Sequence, residues 1–140
     1  MRVQINNSKA QLPQRANPTD AGADLFSPKD VVIPPHSCEF IDLGIAMELP
    51  PNSCGLIFAR SGLGTKHGIR PRNCVGVIDE KYRGNLGIMV ENSNCVPYMI
   101  QEGDRIAQLV VVPILHPTFE IADNLDDTDD RNGGFGSSGR

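Results

Sequence analysis

Residues 40–49 read FIDLGIAMEL, and a hydrophobic side chain recurs there at every second position. A repeat of two is that of a β-strand, because successive side chains point to opposite faces. One face of this segment would carry five apolar residues: Ile41, Leu43, Ile45, Met47 and Leu49. The same alternation returns at 106–114, where Ile106, Gln108 and Val110 share a face. The two segments predict a fold built from strands.

Shorter apolar runs surround these two segments and are separated by turn sequences. The runs are 31–33, 54–59, 74–78, 86–91 and 96–100. Turn residues stand at Pro34-Pro35, Pro50-Pro51-Asn52 and Glu102-Gly103-Asp104. Many short strands joined by turns rich in Gly and Pro predict an all-β protein, arranged as a sandwich, a jelly roll or a barrel.

The sequence disfavours long helices. Between Pro13 and Pro117 the longest run without Gly or Pro is nine residues. Both residues disfavour helix interiors, so bundles, coiled coils and doubly wound α/β folds are disfavoured. One short helix is predicted near 61–66, with Ser61 as its N-cap.

The charge is divided unevenly along a chain of 140 residues, which is the length of one domain. The formal net charge is −4. Residues 1–119 hold eleven acidic residues and eleven Lys or Arg, whereas residues 120–140 hold six acidic residues and two Arg. We therefore predict a neutral β-body, 1–119, and a flexible acidic extension of the same domain, 120–140.

Several functional classes are disfavoured by the composition. No apolar stretch is long enough to span a bilayer, and the first residues lack the apolar core of a secretion signal. We expect no membrane contact and a cytoplasmic location. A neutral body lacks the basic stripe of a nucleic-acid binder. The four cysteines contain no C-x-x-C pair, so we expect mostly buried thiols in a reducing compartment rather than a zinc or redox site.

The C-terminal segment 133–139, GGFGSSG, combines a flexible backbone with one aromatic ring. Gly and Ser can wrap a phosphate with N–H and hydroxyl groups, and Arg131 adds charge. Phe135 offers a face on which a base can stack. These residues suggest a lid that orders over a nucleotide. The alternatives are a disordered terminus or a cloning remnant.

Residues 58–68, FARSGLGTKHG, follow an apolar strand and begin the predicted helix. Backbone N–H groups here, together with Arg60 and Ser61, could hold an anion. The alternative is an ordinary strand-to-helix turn with a Ser cap. The spacing is not that of a Walker loop.

Residues 73–92, NCVGVIDEKYRGNLGIMVEN, predict a strand, a turn and a second strand. Asp79 ends an apolar run, so partial desolvation would suit it as a general base acting on water. Otherwise it opens the turn through a local hydrogen bond. Gly76 and Gly87 lie within strand patterns, where Gly often marks the close approach of a ligand. Tyr82 is either a hairpin aromatic or a ring against a sugar.

Two further polar residues stand in apolar surroundings. Asp24, in the segment AGADLF at 21–26, could serve a magnesium ion or cap a turn. Gln108 lies on the apolar face of 106–114 and needs a partner if it is buried. That partner could be a ligand phosphate or neighbouring backbone.

Taken in order, these segments resemble the five motifs of the trimeric dUTP pyrophosphatase family. The motifs are AGADLF at 21–26, RSGLG at 60–64, NCVGVIDEKYRG at 73–84, GDRIAQL at 103–109 and GGFGSSG at 133–139. The match spans nearly the whole chain. The resemblance implies a jelly-roll-like, or β-clip, fold and hydrolysis of dUTP to dUMP and pyrophosphate, which supplies thymidylate synthesis and keeps uracil out of DNA.

The resemblance also implies a homotrimer with three active sites at subunit interfaces. One subunit would give the hairpin of the third motif, a second would give the first, second and fourth motifs, and the third would lend its tail. Asp79 would be the catalytic base. Asp24 would hold, through water, a Mg²⁺ ion bound mainly by the triphosphate.

The remaining site residues implied by the resemblance bind the substrate. Those that would hold the phosphates are Arg60, Ser61, Gly62, Gln108, Arg131, Gly136, Ser137 and Ser138. Those that would contact the nucleoside are Asn73, Gly76, Val77, Ile78, Tyr82, Gly87 and Phe135. Arg131 stands four residues before Phe135, where the family commonly has five.

Two alternatives to dUTP hydrolysis remain open from sequence. A dCTP deaminase shares the fold, and a non-catalytic relative would only bind nucleotides or a protein partner. The intact hairpin motif, the tail motif and Asp79 favour the hydrolase. If the chain is viral, the expected location is the cytoplasm or nucleus of the host cell.

Overall fold

The computed structural model describes residues 1–126. It contains these elements in chain order: β1 (Val3–Ile5), β2 (Ala23–Phe26), β3 (Val31–Ile33), β4 (Ser37–Asp42), β5 (Ile45–Met47), β6 (Ser53–Phe58), α1 (Ser61–His67), β7 (Ile69–Pro71), β8 (Val75–Ile78), β9 (Gly87–Asn92), β10 (Tyr98–Ile100) and β11 (Arg105–Pro113). Short strands and one short helix confirm the prediction of an all-β protein.

The strands form four antiparallel sheets. The largest has the order β2-β11-β6-β8, and a three-stranded sheet has the order β4-β9-β7. Two pairs, β1-β5 and β10-β3, complete the set. Strands far apart in sequence therefore lie side by side, as β2 and β11 do. This jelly-roll-like arrangement is the fold predicted from sequence.

All four sheets contribute to one hydrophobic core. Leu25, Ile33, Ile41 and Ile45 come from four different sheets, and each is at most 1% exposed. They belong to a single cluster of buried aliphatic side chains. Because each sheet buries one face in this cluster, the core fixes the sheets relative to one another.

The alternating segment at 40–49 is two strands rather than one. Alternation holds through Leu43, since Ile41 and Leu43 are buried whereas Phe40 and Asp42 are exposed. Gly44 then adopts a positive φ of 67°, with its N–H donating to Asp42 Oδ1 at 2.8 Å. Beyond this turn Ile45, Ala46 and Met47 are all buried. The prediction of one alternating face is therefore wrong after Leu43.

The helix begins one position away from the predicted cap. Arg60 occupies the N-cap position and makes no side-chain cap hydrogen bond, while Ser61 is the first helical residue. Gly68 ends the helix in the left-handed conformation, with φ of 58°. The predicted role of Ser61 as N-cap is wrong, so its hydroxyl does not cap the helix.

The cysteines are less buried than predicted. Cys54 is buried and Cys38 is half-buried, but Cys74 and Cys95 are exposed. Within residues 1–126, no group of three His, Cys, Asp or Glu side chains could hold a metal. In the same residues, no helix has the length and apolar character needed to cross a bilayer.

We predict that Gly44→Ala destabilises the protein. A Cβ at this position would overlap Cβ of Asn7 and lie 3.2 Å from Cβ of Ala10, in a backbone conformation that disfavours side chains. The expected loss in the free energy of unfolding is about 2 kcal/mol or more. Urea denaturation at fixed protein concentration measures it.

The matched control is Gly64→Ala in α1. A Cβ there meets Cβ of Ala59 at an ordinary 3.5 Å. Since Ala is the better helix former, this variant should be neutral or more stable by up to about 1 kcal/mol. Equal stability of the two variants would contradict the account of the β4–β5 turn.

Candidate active site

Three of the sequence motifs meet at one end of the four-stranded sheet. Gln108 of β11 is paired with Asp24 of β2 on one side and with Phe58 of β6 on the other. Phe58 is in turn paired with Val75 of β8. These four residues form one row across the sheet. The strand pairing thus brings Asp24, Gln108 and the segment after Phe58 together.

A polar cleft of about 460 Å³ opens at this end of the sheet. Its lining includes the predicted residues Asp24, Arg60, Ser61, Gly62 and Gln108, together with Arg105. The cleft offers two guanidinium groups, a hydroxyl and the first peptide groups of a helix. This is the chemistry of an anion site with a carboxylate at its wall.

Asp24 is held by both arginines. Its Oδ1 accepts from Arg60 Nε at 2.8 Å, and its Oδ2 from Arg105 Nη1 at 3.4 Å. The Asp24 side chain is 17% exposed, so the pair with Arg60 is partly shielded from water. Arg105 was not among the predicted site residues, although it is the cation of the GDRIAQL segment.

Gln108 is oriented by backbone in this structure. Its Nε2 donates to the carbonyl of Ala59 at 2.9 Å, which is the second of the two partners considered from sequence. A Cβ at Gly22 would overlap Oε1 of Gln108 and lie 3.2 Å from its Cδ. A side chain at Gly22 would therefore displace the amide of Gln108 from its present position, a contact that no local pattern reveals.

A second cleft, of about 670 Å³, lies between β8 and β9. It gathers the predicted residues Asn73, Gly76, Val77, Ile78 and Gly87. Six further lining residues were not predicted: Phe40, Ile57, Pro71, Arg72, Ile88 and Met89. Apolar side chains form most of its walls, and strand backbone, the Asn73 amide and the Arg72 guanidinium form its polar edge. Such a recess suits a flat heterocycle with donors and acceptors on its rim.

The absence of a side chain at Gly87 makes room for the ring of Phe40. A Cβ there would overlap Cζ of Phe40 and lie 2.6 Å from its Cε2. Packing against Phe40 is therefore one reason for a glycine at this position, and the approach of a ligand to its backbone stays a prediction. At Gly76 a Cβ would lie 3.3 Å from Cβ of Ile57, so close strand packing limits that position too.

Asp79 and Tyr82 lie in the turn between β8 and β9. The N–H of Tyr82 donates to the carbonyl of Asp79 at 3.0 Å, and the Tyr82 hydroxyl donates to the carbonyl of Asn85 at 2.9 Å. Asp79 is exposed, so the expected desolvation is absent in the single chain. Among the described residues, none donates a hydrogen bond to its carboxylate.

Asp79 is remote from the polar cleft of its own chain. Ile78 is paired with Gly55, whereas Asp24 belongs to the row that contains Val75. Four residues along β8 and three strand spacings across the sheet separate Asp79 from Asp24, which amounts to about 20 Å. The two halves of the predicted site therefore do not meet within one copy of the chain.

The predicted lid residues lie outside the part of the chain that the structure describes. They are Arg131, Phe135, Gly136, Ser137 and Ser138.

Comparison with known proteins gives a consistent result. A family model described as dUTPase matches residues 8–139. A deoxyuridine 5'-triphosphate nucleotidohydrolase of Desulfitobacterium hafniense is 45% identical over 139 residues, covering 96% of this chain and 92% of that protein. The dUTPase of Staphylococcus bacteriophage 80alpha with dUPNHPP superimposes with a TM-score of 0.92 at 32% identity, covering 99% of this chain and 98% of that one.

A second solved structure bears on metal binding. It is a mutant dUTPase from phage phi11 of S. aureus, whose description reports coordination of a structural Mg(II) ion. It superimposes with a TM-score of 0.81 at 31% identity, and covers 88% of this chain and 96% of that one.

We predict that Asp24→Asn binds tripolyphosphate more tightly than the unchanged protein when no metal is present. The carboxylate now neutralises Arg60 and competes with an anion for its N–H groups. Removing one competing charge should tighten binding roughly threefold to tenfold. Isothermal titration calorimetry measures the affinity.

The control is Glu91→Gln, which also replaces a carboxylate by an amide. Glu91 Oε2 lies 3.3 Å from Arg70 Nε, and this ion pair is outside the polar cleft. It should leave tripolyphosphate binding unchanged. Weaker binding by Asp24→Asn would show that the arginines are not the anion ligands.

Proposed function

The chain belongs to the dUTPase family and is a dUTP diphosphatase, and from this premise we propose how its residues divide the reaction. The observation that carries the proposal is the separation between the two clefts. The recess at β8 and β9 suits the nucleoside, and the cleft at Asp24 and Arg60 suits the phosphates. We propose that each substrate molecule bridges the two clefts of neighbouring copies.

The uracil ring enters the recess between β8 and β9. Its edge presents two carbonyl acceptors that flank one N–H. Backbone of Gly76 to Ile78, the Asn73 amide and backbone at Gly87 can pair with that pattern. Cytosine reverses part of the pattern and leaves polar groups unpaired, which discriminates strongly.

The Tyr82 ring packs against the deoxyribose. Support for this role comes from how firmly the ring is held. Its hydroxyl is tied to the carbonyl of Asn85, and a Cβ at Gly84 would lie 2.8 Å from its Cζ. A ring held on its own loop leaves little room for a 2′-hydroxyl, so we expect ribonucleotides to be rejected.

The phosphates bind in the polar cleft. Arg60 and Arg105 supply charge, Ser61 and Gly62 supply hydroxyl and backbone donors, and Gln108 supplies an amide. For the arginines to reach a triphosphate, their pairs with Asp24 must loosen. That exchange would free the Asp24 carboxylate at the moment the anion arrives.

The Asp24 carboxylate fits a magnesium ion that the triphosphate and water hold for the most part. It is an oxygen donor that lines the cleft, and residues 1–126 offer no set of three protein ligands. When bound, Mg²⁺ would offset the negative charge that develops on the phosphates. Asp24 would orient the metal's water ligands.

Asp79 acts as the general base. It takes a proton from a water molecule positioned for in-line attack on the α-phosphorus, and pyrophosphate leaves. Its exposure in the single chain and its lack of donors among the described residues leave both oxygens available to water. Coverage by a neighbouring copy would provide the desolvation expected from sequence.

A homotrimer supplies the missing half of each site. One subunit contributes the recess and Asp79, and a second contributes the polar cleft. The third contributes its C-terminal lid. Further support comes from the segment after β11, where four apolar side chains are about nine-tenths exposed or more: Leu115, Phe119, Ile121 and Leu125. Such a run is stable only if another surface covers it.

The lid remains a proposal about residues beyond 126. Residues 120–130 would form a tether to the neighbouring subunit. Arg131, Gly136, Ser137 and Ser138 would close over the β and γ phosphates, and Phe135 would stack on uracil. The division of the chain at 119 is part of the same proposal.

The biological role follows from the reaction. Removal of dUTP would supply dUMP for thymidylate synthesis and keep uracil out of DNA, in the cytoplasm of the cell or, for a viral chain, in the host cell. The relatives are named as nucleotidohydrolases, which favours hydrolysis over the deaminase-like and binding-only alternatives.

We predict pyrophosphate release from dUTP with Mg²⁺, and values of kcat/KM at least about 100-fold lower for dCTP, dTTP and UTP. Unpaired polar groups reject dCTP, the methyl group excludes dTTP and the fixed Tyr82 ring rejects UTP. A pyrophosphate assay on the four nucleotides measures the ratios. Equal turnover of dUTP and dCTP would contradict the placement of the base.

A further inference from the structure

Phe40 lies outside all five motifs but forms part of the base recess. It is on β4, directly opposite Met89 of β9, and its side chain is 55% exposed. Val77 and Met89 line the same recess and are also exposed. Three large apolar side chains around one opening are costly in water unless something apolar covers them.

The Phe40 ring packs on backbone that carries no side chain. The ring lies against Gly87, so closely that a Cβ at that residue would lie 2.6 Å from its Cε2. Any side chain at position 87 would push the ring away. The pairing of Asp42 with Gly87 and of Phe40 with Met89 sets this diagonal contact.

The recess therefore has one aromatic wall and one polar rim. Phe40 lies against Gly87, and Asn73 and Gly76 line the same recess. An aromatic face packs well against a pyrimidine, and it does so without regard to the hydrogen bonds on the pyrimidine's edge. The polar rim can form hydrogen bonds with that edge. The aromatic wall limits the size of the ring that can enter the recess.

We propose that Phe40 is a specificity-determining residue of the base recess. It forms the wall against which the uracil ring packs, and it restricts the room for a substituent on that ring. The inference rests on the proposed placement of uracil between β8 and β9. It adds to that placement a residue of the three-stranded sheet, which no motif contains.

The test compares Phe40→Ala and Phe40→Leu with the unchanged full-length protein. For Phe40→Ala, the KM for dUTP should rise roughly tenfold with kcat changed less than about twofold, because the wall binds the base but touches no reacting atom. The kcat/KM of dTTP relative to dUTP should rise at least fivefold. Phe40→Leu should fall between the two proteins.

The matched control is Met99→Ala. Met99 is also 55% exposed, but it lies on β10 in a different sheet and lines neither cleft. Its kinetic constants should be unchanged. If Phe40→Ala and Met99→Ala behave alike, Phe40 is an ordinary exposed residue and the inference is wrong.

Two further measurements separate the possible failures. Sedimentation should show the same assembly for all variants, and a loss of assembly in Phe40→Ala would mean that the ring serves a subunit contact instead. Asn73→Ala should raise the KM for dUTP. If it does so while Phe40→Ala does not, the base occupies the recess and only the inference fails; if neither variant changes KM, the proposed placement of uracil fails.

Discussion

The strand register of the four-stranded sheet is the constraint on which the site depends. It aligns Asp24, Gln108, Phe58 and Val75 in one row and leaves Asp79 four residues further along β8. Strand spacing and rise are nearly invariant, so side-chain motion cannot close a gap of about 20 Å. If these residues form one site, as proposed, a second copy of the chain must complete it.

The polar cleft is organised by an internal ion pair whose partners the substrate also needs. Asp24 and Arg60 satisfy each other at 2.8 Å, in surroundings that are largely shielded from water. Removing one partner of such a pair leaves the other charge uncompensated. In the proposed function an arriving triphosphate would draw Arg60 away from Asp24, so anion binding would be coupled to release of the Asp24 carboxylate.

The sequence was most informative where structure is local. Alternation and turn residues predicted β3 at its observed bounds and β6 and β9 within one residue at each end, because strand period and turn chemistry act over a few positions. The strands β1, β2 and β7 have only three or four residues each, too few to show a period, and were missed. The break at Gly44 was also missed, since a single positive φ interrupts a pattern that otherwise continues.

Local sequence patterns did not predict the side-chain contacts between strands. Arg105, Gly22 and Phe40 acquire their places from residues far away in sequence, namely Asp24, Gln108 and Gly87. The motifs nevertheless located most of the two clefts, because the groups that handle phosphates and bases are chemically distinctive. Asp79 is more exposed than expected. In the proposed trimer a neighbouring subunit would cover it.

The most direct test of the shared site mixes two inactive variants, Asp79→Asn and Arg60→Ala, which are unfolded together at equal amounts and refolded. If each site takes Asp79 from one subunit and Arg60 from another, random assembly leaves about a quarter of the sites intact, so about a quarter of the activity should return. A mixture of Asp79→Asn with Asp79→Ala is the control and should stay inactive. Failure of the first mixture to regain dUTP hydrolysis, with the assembly intact, would contradict the account.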